Sequence, residues 1–218
     1  MTIGKTGNRV KVPIAYRISR VIWQVFFLAT GGVKCVGTEN MPDTGGVILA
    51  SNHISFVDPP AVGLCMSRQL QYMAKEQLFK TPLLGRWMRA VGSFSVRRGT
   101  ADRRAIRQAI ALLGEGRLIC IFPEGTRSED GKLQEPELGI GLIALKSRAP
   151  IVPAAIKGSD KVLAPHSTKI HRHPITIAYG KPLTFPDLYE GKETREAIEE
   201  IGRRTMAAIA ELQAANSD

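Results

Sequence analysis

Val47-Ile48-Leu49-Ala50-Ser51-Asn52-His53-Ile54-Ser55-Phe56-Val57-Asp58-Pro59-Pro60 is the stretch around which the chain is organised. The apolar run over 46–50 reads as a buried strand. Asp58 and Pro59 read as a helix start, with Asp58 as N-cap and Pro59 in the first turn. His53 then leaves the end of a strand where Asp58 opens the next helix, and the short loop between lets imidazole meet carboxylate. In one continuous helix, a spacing of five would send the two side chains to different faces. A His held by an Asp suits a general base. The same residues also fit a plainer arrangement in which Asp58 only caps and His53 is an ordinary loop residue.

Past this loop, strands and helices alternate. Leu118-Ile119-Cys120-Ile121-Phe122 is a continuous apolar run, as in a sheet covered on both faces. Strands are expected at 70–74, 93–96, 151–156 and 175–179, and helices at 61–66, 83–90, 102–113, 139–147 and about 193–213. The chain has 218 residues, 44% of them hydrophobic, which is enough for one good core. The expected fold is a single α/β domain with a mostly parallel sheet flanked by helices. Ligands in such sheets gather beyond the carboxyl ends of the strands.

The formal net charge of +10 is unevenly spread. Between Arg68 and Arg107 ten basic residues face only Glu76 and Asp102, whereas the chain from Asp187 onward is acidic. Such polarity suits a protein facing an anionic surface or ligand. Ile14 to Leu28 is rich in apolar residues, including Trp23, Phe26 and Phe27, and Arg17, Arg20 and Gln24 share one side at helical spacing. Only Val21 to Ala29 is nearly free of polar residues, well short of the ~20 that cross a bilayer. The pattern predicts an amphipathic helix in the headgroup region, against the alternative of one packed on the domain's own sheet. No small-residue cleavage site follows it, so it does not read as a signal peptide. Cys35, Cys65 and Cys120 show no paired spacing, which predicts free thiols in a reducing compartment.

Two further loops follow strands. Gly92 to Gly99 carries Arg97 and Arg98, and arginine grips phosphate through two parallel hydrogen bonds. Phe122-Pro123-Glu124-Gly125-Thr126-Arg127-Ser128 combines a glycine that permits a tight turn with a fixed positive charge. Glu124 would accept from a substrate hydroxyl or pair with an arginine to hold the loop. If these loops converge with His53 and Asp58, they form a site for a phosphorylated alcohol beside a base.

These residues resemble the glycerolipid acyltransferases. His53 and Asp58 match that family's His-x-x-x-x-Asp signature, Gly92 to Arg98 is similar to its second block, Phe122 to Arg127 to its FPEGTR block, and Ile151 to Ile156 to its proline-bearing strand. Order and spacing fit the 1-acylglycerol-3-phosphate acyltransferases over about Gly37 to Pro182. The resemblance implies His53 as base, Asp58 as its orienting partner, Arg98, Glu124, Gly125 and Arg127 as ligands of the glycerol phosphate, and Pro153 as pocket wall. It implies lysophosphatidic acid as acceptor, acyl-CoA or acyl-carrier protein as donor, no cofactor or metal, and peripheral or monotopic attachment to the cytoplasmic face of the cell membrane. Residues 1–36 would form the membrane-associating segment and 37–218 the acyltransferase domain. Arg97 stands where many relatives have Asp, and Glu137 where many have Lys, so a different lysolipid is the second candidate acceptor.

Other classes fit less well. A basic nucleic-acid or membrane-binding module calls for exposed aromatics among its cations, but aromatics make up only 6% of the chain. A metal-dependent phosphoesterase calls for clustered carboxylates, and here they are scattered or C-terminal. His171 and His173 would share a strand face without a third ligand. Ser93 and Ser95 lack a nucleophile elbow, and Cys120 lies in an apolar strand, so no acyl-enzyme is expected. Leu78, Phe79, Leu83 and Trp87 are candidates for an acyl groove, against core packing as the ordinary role.

Overall fold

In the computed structural model the alternating strands and helices assemble into one seven-stranded sheet covered on both faces. Residues 12–97, 102–191 and 193–216 are described. Helix α1 (Ile14–Thr30) leads into strand β1 (Val33–Val36), and a short 3-10 turn separates it from β2 (Val47–Ser51). Helix α2 (Asp58–Leu64), strand β3 (Leu70–Lys75), helices α3 (Glu76–Lys80) and α4 (Pro82–Ala90), and strand β4 (Phe94–Val96) follow. Next come α5 (Arg103–Gly114), β5 (Leu118–Ile121), α6 (Leu138–Ser147) and β6 (Ile151–Lys157). The chain closes with α7 (Ser159–Val162), β7 (Ile175–Tyr179), α8 (Pro186–Tyr189) and α9 (Arg195–Ala215).

The strand order is β1-β7-β6-β2-β5-β3-β4, parallel at every pair except β6 with β7. Side-chain alternation divides the core. Val47, Leu49, Leu118, Cys120 and Val152 face α1 and α2, while Ile48, Ala50, Ile119, Ile121 and Ile151 face α5, α6 and α9. This two-sided cover explains the unbroken apolar runs. The connection from β2 to β3 passes through α2 on the first face; those from β4 to β5 and from β5 to β6 run the opposite way along the sheet, through α5 and α6 on the second face. Right-handed crossovers require this pairing of direction and face. Neighbouring strands β2 and β5 thus send their following helices to opposite faces, which opens a crevice between their carboxyl ends.

The N-terminal segment belongs to this body. β1 pairs with β7, and Phe27 and Tyr16 of α1 are buried, with Trp23 and Phe26 packed against the core. The expectation that the aromatics face headgroups is therefore corrected: they face inward, and Ile14, Ile18, Val21, Ile22, Val25 and Leu28 are exposed. Arg20 does not serve a basic stripe either, since its guanidinium donates to the carbonyls of Met66 and Leu64 beyond the end of α2. Gly31, at φ +121°, ends α1 where a Cβ would lie 2.6 Å from the His173 carbonyl group, so the turn admits only glycine.

Cys35 on β1 is disulfide-bonded to Cys65 after α2, with Cα atoms 6.0 Å apart, and only Cys120 is free. The expectation of three free thiols fails because the pairing is tertiary: the two cysteines are 30 residues apart and meet only when β1 docks beside α2. Closing a loop of that size stabilises by about 3–4 kcal/mol in the chain-entropy account. A Cys35→Ser variant, or wild type under reductant, should lose roughly that much in urea unfolding, whereas an unchanged midpoint would show the bond absent in solution.

Candidate active site

The β2–β5 crevice holds the residues that the sequence singled out. Asn52 anchors the exit of β2: its Nδ2 donates to the Ile156 carbonyl at 3.0 Å and its Oδ1 accepts from the Ile156 N–H at 2.8 Å. The loop then folds around Asp58, which is fully buried. Val57 is the cap residue of α2, and Asp58 is its first helical residue. The carboxylate does not cap the helix; it turns back over the loop. Its Oδ2 accepts from the backbone N–H groups of Ile54 at 2.7 Å and Ser55 at 2.8 Å, and lies 2.8 Å from His53 Nδ1. An ionised carboxylate can only accept, so Nδ1 carries the ring proton. That leaves the lone pair on Nε2, which has no partner among the described residues.

The second loop grips the first. The His53 N–H donates to Glu124 Oε1 at 2.9 Å, and the His53 carbonyl accepts from the Ser128 N–H at 2.8 Å. The Phe122 ring stacks on the imidazole at 4.1 Å. Glu124 Oε2 accepts from the Gln134 N–H at 3.0 Å, so both carboxylate oxygens bind backbone rather than facing a substrate. Burial pushes the Glu124 carboxyl up, and the two N–H donors partly oppose it. Gly125, at φ +67°, donates to the Phe122 carbonyl and closes the turn. The N–H groups of Thr126 and Arg127 are left without partners among the described residues, an arrangement that favours an anion. The Arg127 guanidinium lies 3.5 Å over the Phe56 ring, and its Nη1 is buried without a partner. A buried, unpaired guanidinium nitrogen invites an acceptor from outside the protein.

Arg98 lies outside the described residues; before it, Arg97 pairs with Glu76 at 3.1 Å. Pro153 pairs with Ala50 inside β6, its ring beside Gly180 and Leu212 on the α9 side of the sheet. Glu137 stands at the N-cap position of α6 without a side-chain capping bond, and its side chain lies against Gly125. Cys120 is buried, and desolvation pushes its thiol well up, which suits a core residue. His171 is exposed and His173 half-buried, and no group of three metal-ligating side chains occurs among the described residues. Asn52, Phe56, Phe122 and Ser128 are the functional positions that sequence reasoning missed. Only their closeness to His53 and Arg127 in the chain hinted at them.

A family model described as Acyltransferase matches residues 32–157, from β1 through β6. The chain belongs to the acyltransferase family. It is 36% identical over 145 residues to the 1-acyl-sn-glycerol-3-phosphate acyltransferase of Bacillus subtilis, covering 66% of this chain and 71% of that one. It is 31% identical over 158 residues to a chloroplastic protein of the same description from Arabidopsis thaliana, of which it spans 43%. Its fold matches the crystal structure of the 1-acyl-sn-glycerophosphate acyltransferase from Thermotoga maritima with a TM-score of 0.75, at 24% identity and over 93% of this chain and 80% of that one.

In this acyltransferase Glu124 joins the two loops through backbone hydrogen bonds. Glu124→Ala should lower kcat and cost about 1–3 kcal/mol of stability, because two buried N–H groups lose their acceptor. A raised acceptor KM with unchanged stability would instead mark Glu124 as a substrate ligand.

Proposed function

We propose that the chain transfers an acyl group from acyl-CoA or acyl-carrier protein to the free hydroxyl of 1-acylglycerol-3-phosphate, giving phosphatidic acid for phospholipid synthesis. The observation that carries this reading is the open Nε2 of His53 on one loop and the buried, unpartnered Nη1 of Arg127 on the next, the two loops being joined by the Ser128 N–H to the His53 carbonyl and by Arg127 over the Phe56 ring. The acceptor phosphate would be held by Arg127, by the free N–H groups after Gly125, and by Arg98. Its hydroxyl then reaches His53.

Nε2 takes the hydroxyl proton as the oxygen attacks the thioester carbonyl. The tetrahedral intermediate collapses, the C–S bond breaks, and the imidazolium returns the proton to the departing thiolate. Asp58 holds the ring in one tautomer and balances the imidazolium charge. General-base assistance of this kind contributes about 10²–10⁴ in rate. The names of the relatives, together with the phosphate-sized charge at Arg127, support lysophosphatidic acid as acceptor.

The acceptor is a lipid, and the exposed aliphatic row of α1, extended by Leu83 and Trp87 of α4, supplies a surface to meet it. No helix among the described residues is long and apolar enough to cross a membrane. On this reading the protein lies on the bilayer, at its cytoplasmic face, with the aliphatic row of α1 toward the lipid.

Thiol release from acyl-CoA, dependent on added lysophosphatidate, tests the reaction. His53→Ala should abolish it in a folded protein. Arg127→Ala should raise the acceptor KM by about 10–100-fold, the worth of a charged hydrogen bond. A change confined to the acyl donor would overturn the phosphate assignment. For the membrane seat, Val21→Glu with Val25→Glu should move the protein from the pellet to the supernatant in sedimentation with phosphatidylglycerol vesicles. Undiminished sedimentation would place the anchor elsewhere.

A further inference from the structure

In the loop between β2 and α2, Ile54 and Val57 are buried in the core on the α1 side, whereas Phe56 is exposed and joins neither core. What its ring meets is the guanidinium of Arg127, whose Cζ lies 3.5 Å from the ring centroid. The backbone on either side of Phe56 is pinned. Ser55 donates its N–H to Asp58 Oδ2 at 2.8 Å and its hydroxyl to the Leu163 carbonyl at 2.7 Å. Val57, at the cap of α2, donates its N–H to Ser55 Oγ at 3.4 Å. The ring therefore stands out of the loop on a fixed base.

The chemistry of the contact matters for what Arg127 can still do. A guanidinium lying flat on an aromatic ring is held through its face, by the ring's negative quadrupole, while its N–H donors point outward in its own plane. An ion pair would use up those donors; the ring does not. Nη1 accordingly remains buried and without an acceptor. A long side chain fixed in this way also loses less rotamer freedom when a ligand binds. The contact crosses from one loop to the other, since Phe56 stands three residues after His53 and Arg127 three residues after Glu124.

We infer that Phe56 is a positioning residue for the acceptor: its ring holds the Arg127 guanidinium by the face and leaves the in-plane donors free for the acceptor's phosphate. This rests on the acyl-transfer reading above and adds to it the group that orients the phosphate ligand. Asp58 then places two side chains through one turn, the imidazole that takes the proton and the ring that aims the arginine. The hydroxyl and the phosphate of one acceptor are thereby kept in a fixed relation.

The test uses the full chain with Phe56→Leu and Phe56→Tyr, each shown folded by thermal melting. Phe56→Leu should raise the KM for lysophosphatidate by about 3–30-fold, the worth of a cation–π contact, with a smaller change in kcat. The KM for acyl-CoA should not follow. Phe56→Tyr keeps an aromatic face and should restore the acceptor KM. In an Arg127→Ala background, Phe56→Leu should add nothing further, because the two residues act as one unit. A second readout needs no turnover: the Arg127 Nε–H proton signal, identified by its absence in Arg127→Ala, should be shifted upfield by the ring current in wild type and released in Phe56→Leu. An unchanged acceptor KM in Phe56→Leu, equal losses in the Leu and Tyr variants, or additive losses with Arg127→Ala would each overturn the positioning role. Absence of the ring shift in wild type, with thiol release still dependent on lysophosphatidate, would overturn it and leave the acyl-transfer reading intact. A ring-shifted signal without any such release would uphold the stacked arginine and sink that reading.

Discussion

A single oxygen, Oδ2 of Asp58, collects three hydrogen-bond contacts: the N–H groups of Ile54 and Ser55 and the ring nitrogen of His53. Without that oxygen the loop from β2 to α2 would bury two unpaired N–H groups, at about 1–3 kcal/mol each. The same carboxylate therefore shapes the loop and orients the imidazole. The orientation of the imidazole is a by-product of satisfying buried backbone. The second loop follows the same rule. Glu124 and Ser128 engage the N–H and carbonyl of His53, so the base is held by main-chain bonds from both sides, and its ring is backed by Phe122.

The sheet topology explains why two loops meet at this point. The helices after β2 and β5 leave to opposite faces, so nothing covers the gap between the strand ends. His53 stands on one lip and Glu124 and Arg127 on the other. Asn52 ties the first lip to β6, and Ser55 ties it to the segment after α7 through the Leu163 carbonyl. These bonds brace the first lip of the crevice from two further elements.

Much of this was legible in the sequence because strand ends are marked by apolar runs, and the residues after them are the ones a sheet presents to ligands. His53, Asp58, Glu124 and Arg127 all follow buried runs. Asp58 was expected to cap its own helix, and local propensity cannot show that its carboxylate turns back on the preceding loop. Periodicity shows that α1 has faces but not which one is buried, since Val21, Val25 and Leu28 are as apolar as Trp23 and Phe27. Packing decided it: the large aromatics fill space above the sheet, and the smaller aliphatics are left outside. The Cys35–Cys65 bond was invisible because it depends on β1 reaching the sheet edge beside β7, a pairing between residues far apart in the chain.

The inward aromatics also fix α1 to the domain. A helix held by Phe27, by the Tyr16 hydroxyl accepting from the Leu70 N–H, and by Arg20 beyond α2 cannot leave the domain to insert on its own. Whatever membrane the outer row touches is therefore held at a fixed height relative to α2, and α2 carries Asp58 at its first turn. In the proposed membrane seat, rigid docking of α1 would set the distance between the lipid surface and His53. The opposite face, with α5 and α9, points away from that row, so the proposed seat leaves it in water.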